Sequence, residues 1–164
     1  MIRTGIGYDS HRFAAGGTMI LGGVKIASGI HLIGHSDGDA VAHAVTDALL
    51  GAAGAGDIGA IFPNTDPANK GRDSIEMLEH AVILINELGF GVVNIDVTVI
   101  TEHPTIRPHV QAIRESLAAA IGAEADAVSV KGKSNEGMGW IGSGEGLACI
   151  AVAAIGLIPD EPEE

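Results

Sequence analysis

The chain has 164 residues, 46% hydrophobic but only 3% aromatic, with 24 glycines and a formal net charge of −12 from 21 acidic and 9 basic residues. That length suits one domain with a sizeable core of Ala, Val, Ile and Leu, and argues against a repeat array or a disulfide mini-scaffold. A bare surface this acidic and this poor in rings repels nucleic acid and anionic membrane, so an anionic ligand would need a local device such as metal ions or helix N-termini.

In chain order, residues 1 to 9 read as a strand, with no basic region and apolar stretch of a secretory leader before it. "TMILGGVKIA" reads as a hairpin turning at Gly22 and Gly23. "DAVAHAVTDALLGAA", Asp39 to Ala53, suits a helix, with Ser36 or Asp37 available to cap its start and Gly54 or Gly56 to stop it. The "GDIGAIFPNTDP" stretch mixes Gly, Pro, Asn and Asp and is expected to be a loop, either a lid or plain surface.

Residues 73 to 89 form a second helix candidate, apolar at Ile75, Leu78, Val82 and Ile85, and "FGVVNIDVTVIT" then alternates like a strand. Pro108 is suited to open a third helix, "PHVQAIRESLAAAIG", because a first-turn N–H has no intrahelical partner to lose. Strand candidates at "AVSVKGK" and "LACIAVAAIGLI" follow, and the single cysteine, Cys149, sits in the latter as a packing residue with no disulfide partner. Apolar runs are too short and Gly-rich to span a bilayer, so the expected setting is the cytoplasm, without a membrane or nucleic-acid partner. Interleaved strands and helices favour an α+β two-layer sandwich, a mixed β-sheet with helices packed on one face, over residues 1–158, followed by an acidic tail at 159–164.

On a strand, residues two apart point the same way, so Asp9 and His11 in "GYDSHRF" are either turn residues or half of a metal site. His43 lies within the first helix with Asp39 and Asp47 one turn to either side, a polar stripe that reads as ligand chemistry or as a satisfied buried histidine. Asp9, His11 and His43 together make one carboxylate and two imidazoles, a donor set suited to tetrahedral Zn²⁺ with an open fourth position. Asp47 or Asp39 could orient an imidazole from behind. His35 and Ser36 precede the helix, where a phosphate could meet its N-terminus, or Ser36 could simply cap it. In "VKGKSNEGMGWIGSGEG", Lys131, Lys133 and Glu136 lie in a glycine-rich loop that would admit phosphate oxygens and a bridging Mg²⁺, although its spacing is not that of a P-loop.

The segments "DSH", "HSDGDAVAHAVTDALLGAAGAGDIG", "FPNTDP" and "NEGMGWIGSGEG" resemble, in this order, the 2-C-methyl-D-erythritol 2,4-cyclodiphosphate synthase family over essentially residues 1 to 158. The resemblance implies a homotrimer with active sites at subunit interfaces, in the non-mevalonate route to isoprenoid precursors. Its members convert 4-diphosphocytidyl-2-C-methyl-D-erythritol 2-phosphate to 2-C-methyl-D-erythritol 2,4-cyclodiphosphate and release CMP. It implies that Asp9, His11 and His43 hold Zn²⁺, that His35 and Ser134 act on the reacting phosphates, and that Glu136 holds a second divalent cation, Mg²⁺ or Mn²⁺.

Asp57, Ile58 and Gly59, with Phe62, Pro63, Asn64, Thr65 and Asp66, resemble the loop holding the methylerythritol phosphate. Thr101, Pro104, Thr105, Ile106 and Arg107, with Lys133, resemble the cytidine diphosphate site, and Ser10, Ser36, Asn135, Trp140 and Ser143 complete the implied substrate contacts. Three positions depart from the family pattern: Ser143 where many members carry arginine, Thr105 where lysine is frequent, and Asn64 where aspartate is frequent. These departures weigh against an isoprenoid diphosphate in the central trimer cavity and leave the metal residues untouched. The competing readings are a zinc phosphohydrolase acting on a nucleotide-linked substrate and a non-catalytic diphosphate sensor.

Overall fold

The computed structural model describes residues 1–158, and the expected acidic tail at 159–164 lies outside them. Strand β1 runs from Ile2 to Ala15, well past the expected end at residue 9, because its alternation of outward and inward residues continues through Asp9, His11 and Phe13. The hairpin expected at Gly22–Gly23 is formed by β2 (Met19–Leu21) and β3 (Val24–Ile26), and a short β4 (Ile30–Leu32) follows. Helix α1 (Ala40–Ala53) ends at Gly54 in the left-handed conformation, as its sequence suggested.

Its start differs from expectation: Asp39, not Ser36 or Asp37, caps α1, accepting from Val41 N and Ala42 N. The reason lies in the hairpin, since Asp39 also accepts from Gly22 N at 2.7 Å and Gly23 N at 2.6 Å. A fully buried carboxylate thus meets four backbone donors and ties β2–β3 to α1. The "GDIGAIFP" loop also holds more structure than expected, with a short helix α2 (Ile58–Ile61) and a 3₁₀ turn at Pro67–Asn69.

Helix α3 (Ser74–Glu87), strand β5 (Phe90–Ile100), helix α4 (Val110–Ile121), strand β6 (Val128–Lys133), a short α5 (Gly139–Gly142) and strand β7 (Gly146–Leu157) complete the chain. Pro108 lies in a 3₁₀ turn, Arg107–His109, that leads into α4. The main sheet has the order β4-β1-β7-β5-β6, with β5 and β6 parallel and the other neighbours antiparallel. The first and last strands are therefore direct neighbours, with Asp9 opposite Cys149 and His11 opposite Leu147. The architecture is α+β, a mixed sheet covered by helices on one face. Among the described residues, no helix is long and apolar enough to cross a membrane.

Helix α1 lies directly on β1 because two strand positions facing it carry no side chain. A Cβ on Gly5 would stand 2.1 Å from the Ala48 carbonyl oxygen, and one on Gly7 would stand 1.8 Å from that of Ala44. Alanines at 44, 48 and 52 make the matching helix face equally thin, so backbone approaches backbone. The buried core follows the composition, with Leu49, Leu78, Ile85, Leu117, Ile95 and Ile155 fully buried, each contributing roughly 1.5–3 kcal/mol. Cys149 is fully buried in this layer, and burial pushes its thiol well above the ordinary range, which fits packing and not reactivity. On the opposite face of the sheet, Ile6, Tyr8 and Val152 are 69%, 55% and 44% exposed.

Candidate active site

Asp9 and His11 alternate onto the helix-covered face of β1, and the close approach of α1 sets His43 over them. Asp9 Oδ2 lies 2.9 Å from His11 Nε2 and 3.0 Å from His43 Nδ1, and the two ring nitrogens are 3.4 Å apart. Donors bound about 2.0–2.1 Å from a tetrahedral ion stand roughly 3.3 Å from one another, so this triangle fits a divalent metal ion with one open position. Burial alone would push the Asp9 carboxyl up, but hydrogen bonds and charge from His11 and His43 outweigh it and hold the group below the usual carboxylate range. Burial likewise disfavours a charged His11, yet the hydrogen bond and charge of Asp9, with the Ile33 carbonyl and the Asp39 charge, raise its pKa above the ordinary value.

The groups that orient these rings are not the expected ones. Asp39 is occupied by four backbone donors, and Asp47 accepts from Ile58 N at 2.7 Å, its pKa raised chiefly by burial. His11 Nδ1 instead lies 2.7 Å from the Ile33 carbonyl oxygen, which leaves Nε2 free to face the other donors. His43 Nε2 lies 2.9 Å from Ser36 Oγ and 2.8 Å from Ser74 Oγ. The N-terminus of α1 is likewise unavailable to a phosphate, because Asp39 fills it.

The triad opens into a cavity of about 200 Å³ lined also by His35, Ser36, Ile58, Gly59, Phe62, Asn64, Asn69 and Met77. His35 also lines this cavity, and its Nε2 is buried without a hydrogen-bond partner, the one such side-chain atom among the described residues. The rest of the 57–66 segment is spent on its own shape: Asp57 accepts from Ala60 N, Asp66 from Ala68 N, and the Pro63 carbonyl from Asn69 Nδ2, with Thr65 exposed beside them. Arg72 lies over the Phe62 ring at 4.8 Å and His80 meets its edge, which fixes Phe62 as a wall of the cavity.

A separate cleft of about 700 Å³ is lined by Thr101, Glu102, Pro104, Thr105, Ile106, Arg107, Lys131, Lys133 and Ser134, among others. Ser134 Oγ donates to Glu136 Oε1 at 3.1 Å, and Glu136 sits at φ 52°, an uncommon conformation for a residue other than glycine. Glu102 holds that turn, accepting from Asn135 N at 2.9 Å and Gly137 N at 3.2 Å, while Asn135 Nδ2 donates to the Met138 carbonyl. Ser10 and Trp140 line a third hollow of about 210 Å³ with His11, Arg12 and Glu145, and the Ser143 hydroxyl turns back to the Gly139 carbonyl of α5. Within one chain, therefore, His35 and Ser134 line different cavities.

A profile of the YgbB family matches residues 2–156. The chain belongs to the YgbB family. Among relatives, the 2-C-methyl-D-erythritol 2,4-cyclodiphosphate synthase of Gemmatimonas aurantiaca is 60% identical over 94% of this chain and 93% of its own. Two solved structures share the fold. The bifunctional IspDF of Campylobacter jejuni matches with TM-score 0.93 and 37% identity, over 96% of this chain and 43% of that longer one. The IspF of Plasmodium falciparum in complex with CDP matches with TM-score 0.85 and 33% identity, over 96% of this chain and 97% of its own.

For this YgbB-family chain, sequence reasoning missed Asn69, Met77 and Ser74, and it included Glu102 only within the 101–107 stretch, without its hold on the 134–137 turn. Glu102, just beyond β5, and Ser74, the first residue of α3, have no motif of their own, and only the fold brings them to the 134–137 turn and to His43. A weak signal existed for Ser74, a hydroxyl directly after Asp73 at the start of a helix.

Proposed function

We propose that the chain converts 4-diphosphocytidyl-2-C-methyl-D-erythritol 2-phosphate to 2-C-methyl-D-erythritol 2,4-cyclodiphosphate with release of CMP, as a cytoplasmic enzyme of isoprenoid precursor synthesis. The observation that carries this reading is the Asp9–His11–His43 triad sharing one cavity with an unpartnered His35. The name of its 60%-identical relative supports the same activity, and the CDP held by the Plasmodium falciparum IspF supports a cytidine diphosphate-linked substrate.

In the cyclisation, an oxygen of the substrate's 2-phosphate forms a bond to the β-phosphorus, the bond from that phosphorus to the bridging oxygen breaks, and CMP leaves with the electron pair. No covalent protein nucleophile is needed, so the residues act by positioning two mutually repelling phosphates. Asp9, His11 and His43 would hold Zn²⁺, and Glu136 a Mg²⁺ or Mn²⁺ ion, which when bound supply positive charge to the phosphoryl oxygens. His35 donates into the metal-side cavity, Phe62, Ile58 and Met77 enclose the methylerythritol part, and the cleft with Thr101, Thr105, Arg107 and Lys133 receives the cytidine diphosphate.

The homotrimer is what the family resemblance implies, and a subunit boundary would let the metal-side and nucleotide-side groups, which line different cavities in one chain, share one site. The exposed apolar sheet face at Ile6, Tyr8 and Val152 offers the surface to bury. Incubation with the cytidyl substrate in ¹⁸O-water tests the activity. Unlabelled CMP and a cyclic diphosphate are expected, and label in a phosphate product would replace cyclisation with hydrolysis.

A further inference from the structure

We infer that Ser74 and Asp37 are positioning residues of the metal site, a relay that grips the His43 ring by the nitrogen facing away from the metal donors; this rests on the metal-site reading above. His43 presents Nδ1 to Asp9 and His11 from α1, and its Nε2 points the other way, toward the first residue of α3. There Ser74 Oγ lies 2.8 Å from Nε2, and the same hydroxyl donates to Asp37 Oδ1 while Ser74 N donates to Asp37 Oδ2 at 3.1 Å.

Ser74 is fully buried, so its hydroxyl must be satisfied by protein groups. A hydroxyl has one proton, and Asp37 Oδ1 accepts it. Ser74 then offers only a lone pair to His43, and Nε2 must carry the hydrogen that meets it. That assignment leaves the Nδ1 lone pair toward Asp9 and His11, where a metal ion needs it. Ser36 Oγ, 2.9 Å from the same Nε2 and 3.4 Å from Ser74 Oγ, adds a second oxygen, but Ser36 also lines the ligand cavity. Ser74 and Asp37 do not line it, so their substitution reports on the ring alone.

The test combines zinc affinity of the full chain, by competition with a chromophoric chelator, with ¹⁵N-edited NMR of the zinc-loaded protein. The unsubstituted chain is expected to bind one zinc ion and to show a downfield, slowly exchanging His43 Nε2 proton. Ser74→Ala is expected to weaken zinc binding about 10–100-fold and to expose that proton to exchange. Asp37→Asn, which keeps the serine but weakens its acceptor, is expected to move both readouts the same way by less. Unchanged affinity together with a protected proton in the folded variants overturns the relay, and if Ser74→Ala does not fold, Asp37→Asn decides by the same two readouts. An unsubstituted chain that binds no zinc overturns the metal-site reading instead.

Discussion

The carboxylate of Asp9, on a strand, and the imidazole of His43, on the helix laid across it, meet at 3.0 Å. Each donor is carried by an element with its own packing, so removing one ring should empty the site without unfolding the chain. His43→Ala is expected to lower zinc content to background and turnover by about 10³-fold or more, with an unchanged far-ultraviolet dichroism spectrum. Retained zinc at full stoichiometry would remove His43 from the ligand set.

If the two halves of the site come from different subunits, two inactive variants should repair each other. Oligomers reassembled from equal amounts of His43→Ala and Glu136→Ala chains are then expected to regain about a quarter of the unsubstituted activity, since one boundary in four pairs two intact halves. Recovery at the level of either variant alone would mean that each chain completes its own site.

The pH dependence of the metal-free protein follows from the Asp9–His11 pair. The Asp9 pKa is depressed in the folded chain, so its contribution is present above the unfolded value of about 4 and is lost as pH falls through the folded one. The His11 pKa is raised, so its contribution is complete below about 6.5 and is lost as pH rises through the folded value. Thermal unfolding without metal is therefore expected to show a stability increment between about pH 4 and 6.5 that His11→Ala removes. Zinc affinity should move oppositely to His11 protonation, falling as pH drops below its raised pKa.

Gly7→Ala tests how closely α1 must lie on β1. The added carbon would meet the Ala44 carbonyl oxygen at 1.8 Å and Ala48 N at 2.8 Å, both backbone, so the helix has to lift. The expected cost is about 1–3 kcal/mol in urea unfolding, with a larger loss of zinc affinity than an equally destabilising change in α4 produces. Equal zinc affinity at equal destabilisation would show that the triad tolerates a raised helix.

Glu102 bridges the cleft to the turn that bears Glu136. Its carboxylate accepts two backbone N–H groups, at Asn135 and Gly137, and charge-assisted bonds of this kind contribute about 1.5–3 kcal/mol each. Glu102→Ala is expected to raise KM for the cytidyl substrate and the requirement for Mg²⁺ or Mn²⁺ by about tenfold or more, whereas Glu102→Gln, which keeps an acceptor oxygen, should lie much nearer the unsubstituted chain. Equal kinetics in all three would confine Glu102 to the lining of the cleft.

Much of this molecule could be read before folding because its signals are local. The Gly22–Gly23 hairpin and the left-handed stop at Gly54, one of two glycines the sequence offered, depend on neighbours in the chain, whereas the strand expected to end at residue 9 runs on through His11. What escaped depends on distance in sequence. Asp39 looked like a residue of the ligand stripe until the hairpin supplied two more donors to it, and Asp47 until Ile58 did. The strand order β4-β1-β7-β5-β6 brings the chain's beginning beside its end, which no periodicity encodes.

Asp47 holds the N–H of Ile58, and His43, one turn earlier on α1, is bonded to Ser74. The segment from 58 to 73 is thus a loop whose two feet stand on a single patch of one helix, and not an arm swinging from a hinge. Such a loop can widen or flatten between its feet, and the two bonds to α1 oppose movement of either foot. Insertions in its middle would change the room over the cavity beside His43 and leave both feet on α1.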